Sequence, residues 1–318
     1  MFPAAEPAAG MYESFYLRAV SPREPVGVWI RYTAHKRPGR SPTGSLWLSV
    51  FDASRGAPEM LKATLPDPLA PPGAWIAIGD SVLGPGAASG SCGDARWALR
   101  FEARDEPLRH LRPELLYRAP LPRTKLTSPA PLARFDGVVQ LPDRAPLELD
   151  GWPGMVGHNW GAEHAERWIW LHGCAFEGRP DAWLDLAAGR VLIAGRSTPW
   201  VANGVLSVDG RRRRIGGLLA PRPSVRESAA GCEIALAGRR AAIELSAEVP
   251  PGTAAGWRYA DPDGGEHDVV NCSIAALRVR VRAAGHAPLE LISAHGGAYE
   301  LGMRERDHGV ALAPYGDG

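Results

Sequence analysis

Short runs that alternate apolar and polar side chains recur along this chain, and a period of two is the signature of a half-buried strand. Val279 and Val281 alternate with Arg278, Arg280 and Arg282. The same period runs through Leu46 to Phe51, Trp97 to Phe101 and Leu289 to His295. Thirty prolines and 37 glycines punctuate the chain often enough for many short strands. Asp209-Gly210, following Val205 to Val208, predicts a two-residue hairpin turn. Helix is expected only in short pieces, for example around Leu108 to Leu116. Alternating strand and helix units are absent, which argues against a doubly wound α/β fold. The expected fold class is therefore all-β.

At 318 residues the chain suits two domains better than one. A Pro-rich stretch, Ala119 to Pro146, separates two strand-rich halves and is the expected crossover. The expected division is 11–150 and 151–318, with Met1–Gly10 and Ala313–Gly318 as loose tails. A formal net charge of +1 gives no overall field to attract nucleic acid or an anionic membrane. Lysine occurs only at Lys36, Lys62 and Lys125; the many arginines, with abundant Ala, Gly and Pro, fit a GC-rich bacterial genome. Cys92, Cys174, Cys232 and Cys272 form no C-x-x-C pair and are expected to be free thiols in a reducing cytosol. The opening residues lack a basic, then apolar, leader pattern, and no apolar run is long enough for a transmembrane helix. The expectation is a cytoplasmic protein without a transmembrane segment.

Motifs narrow the chemistry further. No glycine precedes any lysine directly, so a P-loop is absent, and there is no G-x-S-x-G or H-E-x-x-H. Gly84 to Ser89 lacks the third glycine of a dinucleotide fingerprint and reads as a loop. The densest chemistry lies in Gly157 to His164 and Arg167 to Phe176. In the second run Trp168, Trp170, His172, Cys174 and Phe176 share one strand face, opposite Ile169 and Leu171. Such a face suits a cavity wall or an aromatic core. Trp183 and Asp185, two residues apart, share a face if their segment is extended. His158, His164 and His172 match no metal-ligand spacing, so neither a metal nor another cofactor is expected.

The run Asn159-Trp160-Gly161, then Trp168-Ile169-Trp170, then Phe176-Glu177-Gly178 resembles the N-W-G, W-x-W, F-E-G block of the tocopherol cyclase family. That family is similar to the carotenoid 1,2-hydratases and to AttH-like lipocalin proteins. Weaker likeness extends to Glu13-Ser14-Phe15-Tyr16, to Asn271-Cys272-Ser273 and to Ala294 through Leu301. Two departures accompany it: His158 stands where the cyclases commonly carry Lys, and Ala162 to Ala165 replace a glycine-rich run. The resemblance implies two lipocalin-like β-domains in tandem. It also implies an isoprenoid or polyketide ligand and metal-independent protonation of an alkene, followed by cyclisation or hydration. A proton donor in a dry pocket is then required, and His158, Glu163, His164 and Asp185 are the catalytic candidates. Asn159, Trp160, Trp168, Trp170, His172, Phe176 and Trp183 are the candidates for contacting the ligand. The alternative is a non-catalytic lipid or pigment carrier. In either case the expected partner is an apolar small molecule.

Overall fold

Two large antiparallel sheets make up the computed structural model, which describes residues 10–193, 195–238 and 241–315. Strand accounts for 63% of it and helix for 1%. In the first half the strands are β1 (Met11–Val20), β2 (Val26–Lys36), β3 (Thr43–Asp52), β4 (Glu59–Pro66), β5 (Ile76–Ile78), β6 (Ser81–Gly84), β7 (Ala87–Cys92), β8 (Ala95–Ala103), β9 (Leu108–Arg109), β10 (Thr124–Gln140) and β11 (Leu147–Gly161). Those of the second half are β12 (Arg167–Gly173), β13 (Trp183–Arg190), β14 (Leu192–Ile193), β15 (Arg196–Ser197), β16 (Val201–Val208), β17 (Arg211–Gly216), β18 (Ser224–Ser228), β19 (Gly231–Ala237), β20 (Ala241–Glu248), β21 (Ala255–Ala260), β22 (Glu266–Ala283) and β23 (Leu289–Met303).

Both halves are meanders with the same strand order. In the first, the order is β4-β3-β2-β1-β11-β10-β8-β7-β6-β5; in the second, β17-β16-β13-β12-β23-β22-β20-β19-β18. Each half thus pairs its first long strand with its last. Strands β3 and β4 return to touch β7, so the first sheet curls into a nearly closed barrel. This is the architecture of lipocalin-like barrels.

Three expectations need correction. The Pro-rich stretch Ala119 to Pro146 is no linker, since most of it is β10. Pro129 and Pro131 cannot donate to a ladder, and the pairing with β11 shifts register at those places. The chain changes sheet between Gly161 and Arg167 rather than at 150, because β11 runs on in the first sheet. Leu108 to Leu116 forms β9 and the start of a single 3₁₀ turn, Glu114–Tyr117, rather than a longer helix. The expected tails fall largely outside the described residues. Gly10 is buried, and Tyr315 stacks on Trp257, so the described ends are packed. The Asp209-Gly210 turn forms as expected, with positive φ at both residues and Val208 paired with Arg211. The four cysteines are free and buried. Among the described residues, no helix is long and apolar enough to cross a membrane.

The halves are joined through buried side chains. Arg18 of β1 is fully buried and reaches into the second half. Its guanidinium donates to the carbonyls of Ser273 (2.8 Å) and Gly296 (3.1 Å) and to Nδ1 of His172 (2.9 Å). Trp47 packs edge-on against Trp257 and Tyr259, and the Trp257 indole donates to Ser49 (3.2 Å).

Candidate functional site

The alternation of β1 and β11 decides what the junction receives. Ser14 pairs with Asn159 and Tyr16 with Gly157, so Tyr12, Tyr16 and Asn159 face the second half. Phe15 pairs with His158 and looks into the first barrel. In β12, Trp168 and Trp170 face the first half, while Ile169 and Leu171 belong to the second core. Between these faces lies a cavity of about 600 Å³. Tyr12, Tyr16, Trp168, Trp170 and Trp200 give it aromatic walls, and Leu111, Leu116 and Leu121 reach it from the loop before β10. Two glycines make room for the rings. A Cβ on Gly302 would sit 2.1 Å from the Trp168 indole, and one on Gly157 would sit 2.2 Å from the Tyr16 ring.

One end of the cavity is polar, with His164, Asn159, Arg31, Tyr259 and Glu300 on its wall. His164 is stacked on Tyr12, ring centroids 4.1 Å apart, and faces Trp168 at 5.3 Å. Its Nδ1–H and its backbone N–H both donate to Oδ1 of Asp261, at 2.7 and 2.8 Å. Its Nε2 is buried and has no hydrogen-bond partner. Burial alone would raise the Asp261 carboxyl; the bonds from His164 outweigh it and hold the group below the usual carboxylate range. Glu300 accepts from the Trp168 indole (2.9 Å), the Tyr259 hydroxyl (3.3 Å) and Asn271 (3.3 Å). The Arg31 guanidinium lies over the Tyr259 ring at 3.9 Å.

The other expected site residues lie elsewhere. His158 faces away from the cavity. It donates to Glu13 (2.7 Å) and stacks on Phe15 and Trp160, and burial lowers its pKa. Glu163 forms surface ion pairs with Arg123 and Arg304. Asp185 is wholly buried behind Trp170. It accepts from Ser128 (2.5 Å) and the Trp170 indole (3.0 Å) and pairs with His110 (3.3 Å). Burial pushes its carboxyl up, but His110 and the hydrogen bonds prevail and hold it below the usual carboxylate range. His172 is sealed. It accepts from Arg18 at Nδ1 and donates from Nε2 to the Pro131 carbonyl (2.9 Å), and burial and Arg18 depress its pKa to about 4. Phe176 and Trp183 are core residues of the second half. Trp160 stacks on His158 and Tyr117.

Sequence reasoning thus reached His164, Asn159, Trp168 and Trp170 but missed Asp261, Tyr259, Glu300, Tyr12 and Arg31. Glu300 lay inside the run 294–301 that carries the resemblance. Asp261 stands 97 positions from His164, and no local pattern links them.

His164, Asp261 and His267 bring possible metal-ligand atoms within 4.8 Å of one another. Two imidazoles and a carboxylate would suit zinc or non-haem iron. Hydrogen bonds account for only part of this geometry, since Nδ1 of His267 and Oδ2 of Asp261 are buried without a hydrogen-bond partner. Arg304 donates to Nε2 of His267 (3.3 Å), which leaves the ring proton on Nδ1, facing Asp261 Oδ2 at 3.6 Å. The His164 Nδ1–H is spent on the same carboxylate. A cation bound through both Nδ1 atoms would displace both protons.

No family model matches the chain. An uncharacterized protein of Mycobacterium tuberculosis, found in two strains, is 26% identical over 311 residues, covering 89% of this chain and 87% of that protein. Among solved structures, an AttH-type protein of Nitrosomonas europaea superposes with a TM-score of 0.57 at 13% identity, over 95% of each chain. Kievitone hydratase of Nectria haematococca gives 0.56 at 9% identity, over 92% of this chain and 88% of that one. CghA in complex with Sch210972 gives 0.59 at 12%, over 93% and 88%. The likeness is one of fold. It places this chain in the same tandem β architecture as an AttH-type protein and a hydratase.

Proposed function

We propose that the junction cavity binds an apolar small molecule of isoprenoid or polyketide type and that His164 moves a proton in an addition or cyclisation at an alkene of that ligand. The observation that carries this reading is His164 itself: its ring lines the cavity, its Nδ1 is held by Asp261, and its buried Nε2 has no hydrogen-bond partner. An imidazole held in this way is oriented, and its cationic form is stabilised by the carboxylate, so Nε2 can deliver a proton and take one back. Addition of that proton to an alkene carbon leaves a carbocation. Trp168, Tyr12 and Glu300 line the cavity in which it would form, and water or an internal hydroxyl then captures it. The shared fold with a protein named a hydratase, and with another solved with a small molecule, supports the class of reaction. The resemblance to tocopherol cyclases and carotenoid hydratases supports the class of ligand.

The test uses a panel of isoprenoid and polyketide alkenes. Binding is read by tryptophan quenching, and turnover in D₂O by incorporation of deuterium at carbon. His164→Gln is expected to leave the dissociation constant within about threefold and to slow turnover by about 100-fold or more. Binding without turnover in the unaltered protein would make it a carrier. No quenching by any member of the panel would end the reading.

A further inference from the structure

The surface around the cavity mouth is unlike the rest of the molecule. Nine large hydrophobic side chains are exposed among the described residues, and six of them are Leu115, Leu121, Leu192, Ile193, Leu218 and Leu219. They lie on three separate segments, each of which also contributes to the cavity wall: the loop before β10, the β14–β15 hairpin and the loop after β17. Leu219 is 97% exposed. The first segment is held in place by Lys125, whose ammonium donates to the carbonyls of Leu116, Ala119 and Pro122. The apolar tips of that segment are therefore carried on a fixed frame.

Charge is sorted on the same segments. Residues 109–123, 190–200 and 214–223 contain eight arginines and a single acid, Glu114. The formal net charge of +1 for the whole chain hides this local excess. Glu114, Glu163 and Glu166 lie against Arg112, Arg123 and Arg190. Arg118, Arg196 and Arg222 are exposed and, among the described residues, have no carboxylate within ion-pair distance. Exposed leucines ringed by arginine are what an anionic bilayer surface accepts: the alkyl tips enter the acyl boundary and the guanidinium groups meet the lipid phosphates.

We propose that this rim docks the protein on an anionic lipid bilayer, with the cavity mouth facing the membrane. The surface is a binding site in its own right. Its purpose rests on the apolar-ligand reading, since a docked mouth lets such a ligand pass between acyl chains and cavity without crossing water.

Co-sedimentation with vesicles tests this directly. Vesicles of phosphatidylcholine with about 30% phosphatidylglycerol are expected to pull down the protein, phosphatidylcholine alone to do so poorly, and about 0.5 M salt to release it. Arg118→Glu, Arg196→Glu and Arg222→Glu together are expected to weaken partitioning by about a hundredfold or more, at about fivefold for each lost arginine. Leu218→Ser with Leu219→Ser is expected to weaken it separately; both leucines are exposed, so the fold is unaffected. Ligand quenching in vesicle-free buffer is read on Arg118→Glu with Arg196→Glu and on Leu219→Ser alone, at residues outside the cavity wall, and is expected to be unchanged. Failure to bind anionic vesicles, or binding indifferent to both sets of substitutions, overturns the docking proposal whatever the ligand result. Vesicle binding with no quenching by any ligand leaves docking standing and removes the apolar-ligand reading. If sedimentation shows a dimer that the leucine substitutions dissolve, the rim is a contact between copies of this chain and the proposal is wrong.

Discussion

Two buried histidines set a steep acid limit on stability, and the size of the effect follows from their surroundings. His172 and His267 are both wholly buried and titrate at about 4 in the folded protein, against 6.5 in an open chain. Burial is the main cause for both; Arg18 adds to it at His172, and His164 at His267. As pH falls below 6.5 the unfolded chain takes up two protons that the folded protein refuses. Their contribution is fully present above pH 6.5 and is lost between 6.5 and about 4. The slope over that window is about 1.4 kcal/mol per pH unit for each imidazole, and the whole loss roughly 3 kcal/mol for each. Urea midpoints measured from pH 7.5 to 4.5 give the profile. In His172→Asn the side-chain oxygen stands about where Nδ1 does and can still accept from Arg18, but nothing titrates. This variant loses the bond to Pro131 and is expected to be less stable at pH 7.5 by about 1–3 kcal/mol. Its profile should also be shallower, losing one of the two proton equivalents. A profile parallel to that of the parent would refute the reasoning, because the sealed imidazole would then not be the group that refuses the proton.

Two further substitutions probe the junction. Gly302→Ala drives a methyl group into the Trp168 indole and is expected to shift tryptophan emission and weaken ligand quenching by about tenfold or more; unchanged emission would mean that the ring is not pinned there. Asp185→Asn removes a buried charge from Ser128, Trp170 and His110 and is expected to cost about 3–5 kcal/mol in a urea titration; a loss below about 1 kcal/mol would show that the carboxylate is not paired as described.

Much of the fold was written locally. The alternation at Arg278 to Arg282 and at Trp97 to Phe101, and the Asp209-Gly210 turn, need only neighbours in the sequence to be read. Leu108, Leu111, Leu115 and Leu116 misled because their spacing fits a helix, whereas Leu111 and Leu116 serve as cavity wall. The site was legible in part for the same reason. Period two puts Trp168, Trp170 and His172 on one face, but it cannot tell which end of that face is open. Arg18, 154 positions away, fills the end at His172 and leaves the end at Trp168 to the ligand space. Parity also separates Asn159 from His158: adjacent in sequence, they serve different chambers. Tyr259 and Glu300 come from strands of the second sheet and Asp261 from the turn after β21, and only the folded chain brings them to His164.

The Arg18 crosslink also bears on how the molecule is made. Its carbonyl acceptors lie 255 and 278 positions further along the chain. While the ribosome is still producing the second half, the guanidinium has only water to satisfy it, and the outer face of β1 remains a wet, charged surface. Burial of that charge must await the arrival of β22 and β23. A nascent chain stopped before Ser273 would present to the cell a finished first barrel with an arginine and several aromatic rings on an uncovered wall. Release of the last strands is therefore the event that turns this wall from solvent-facing to interior.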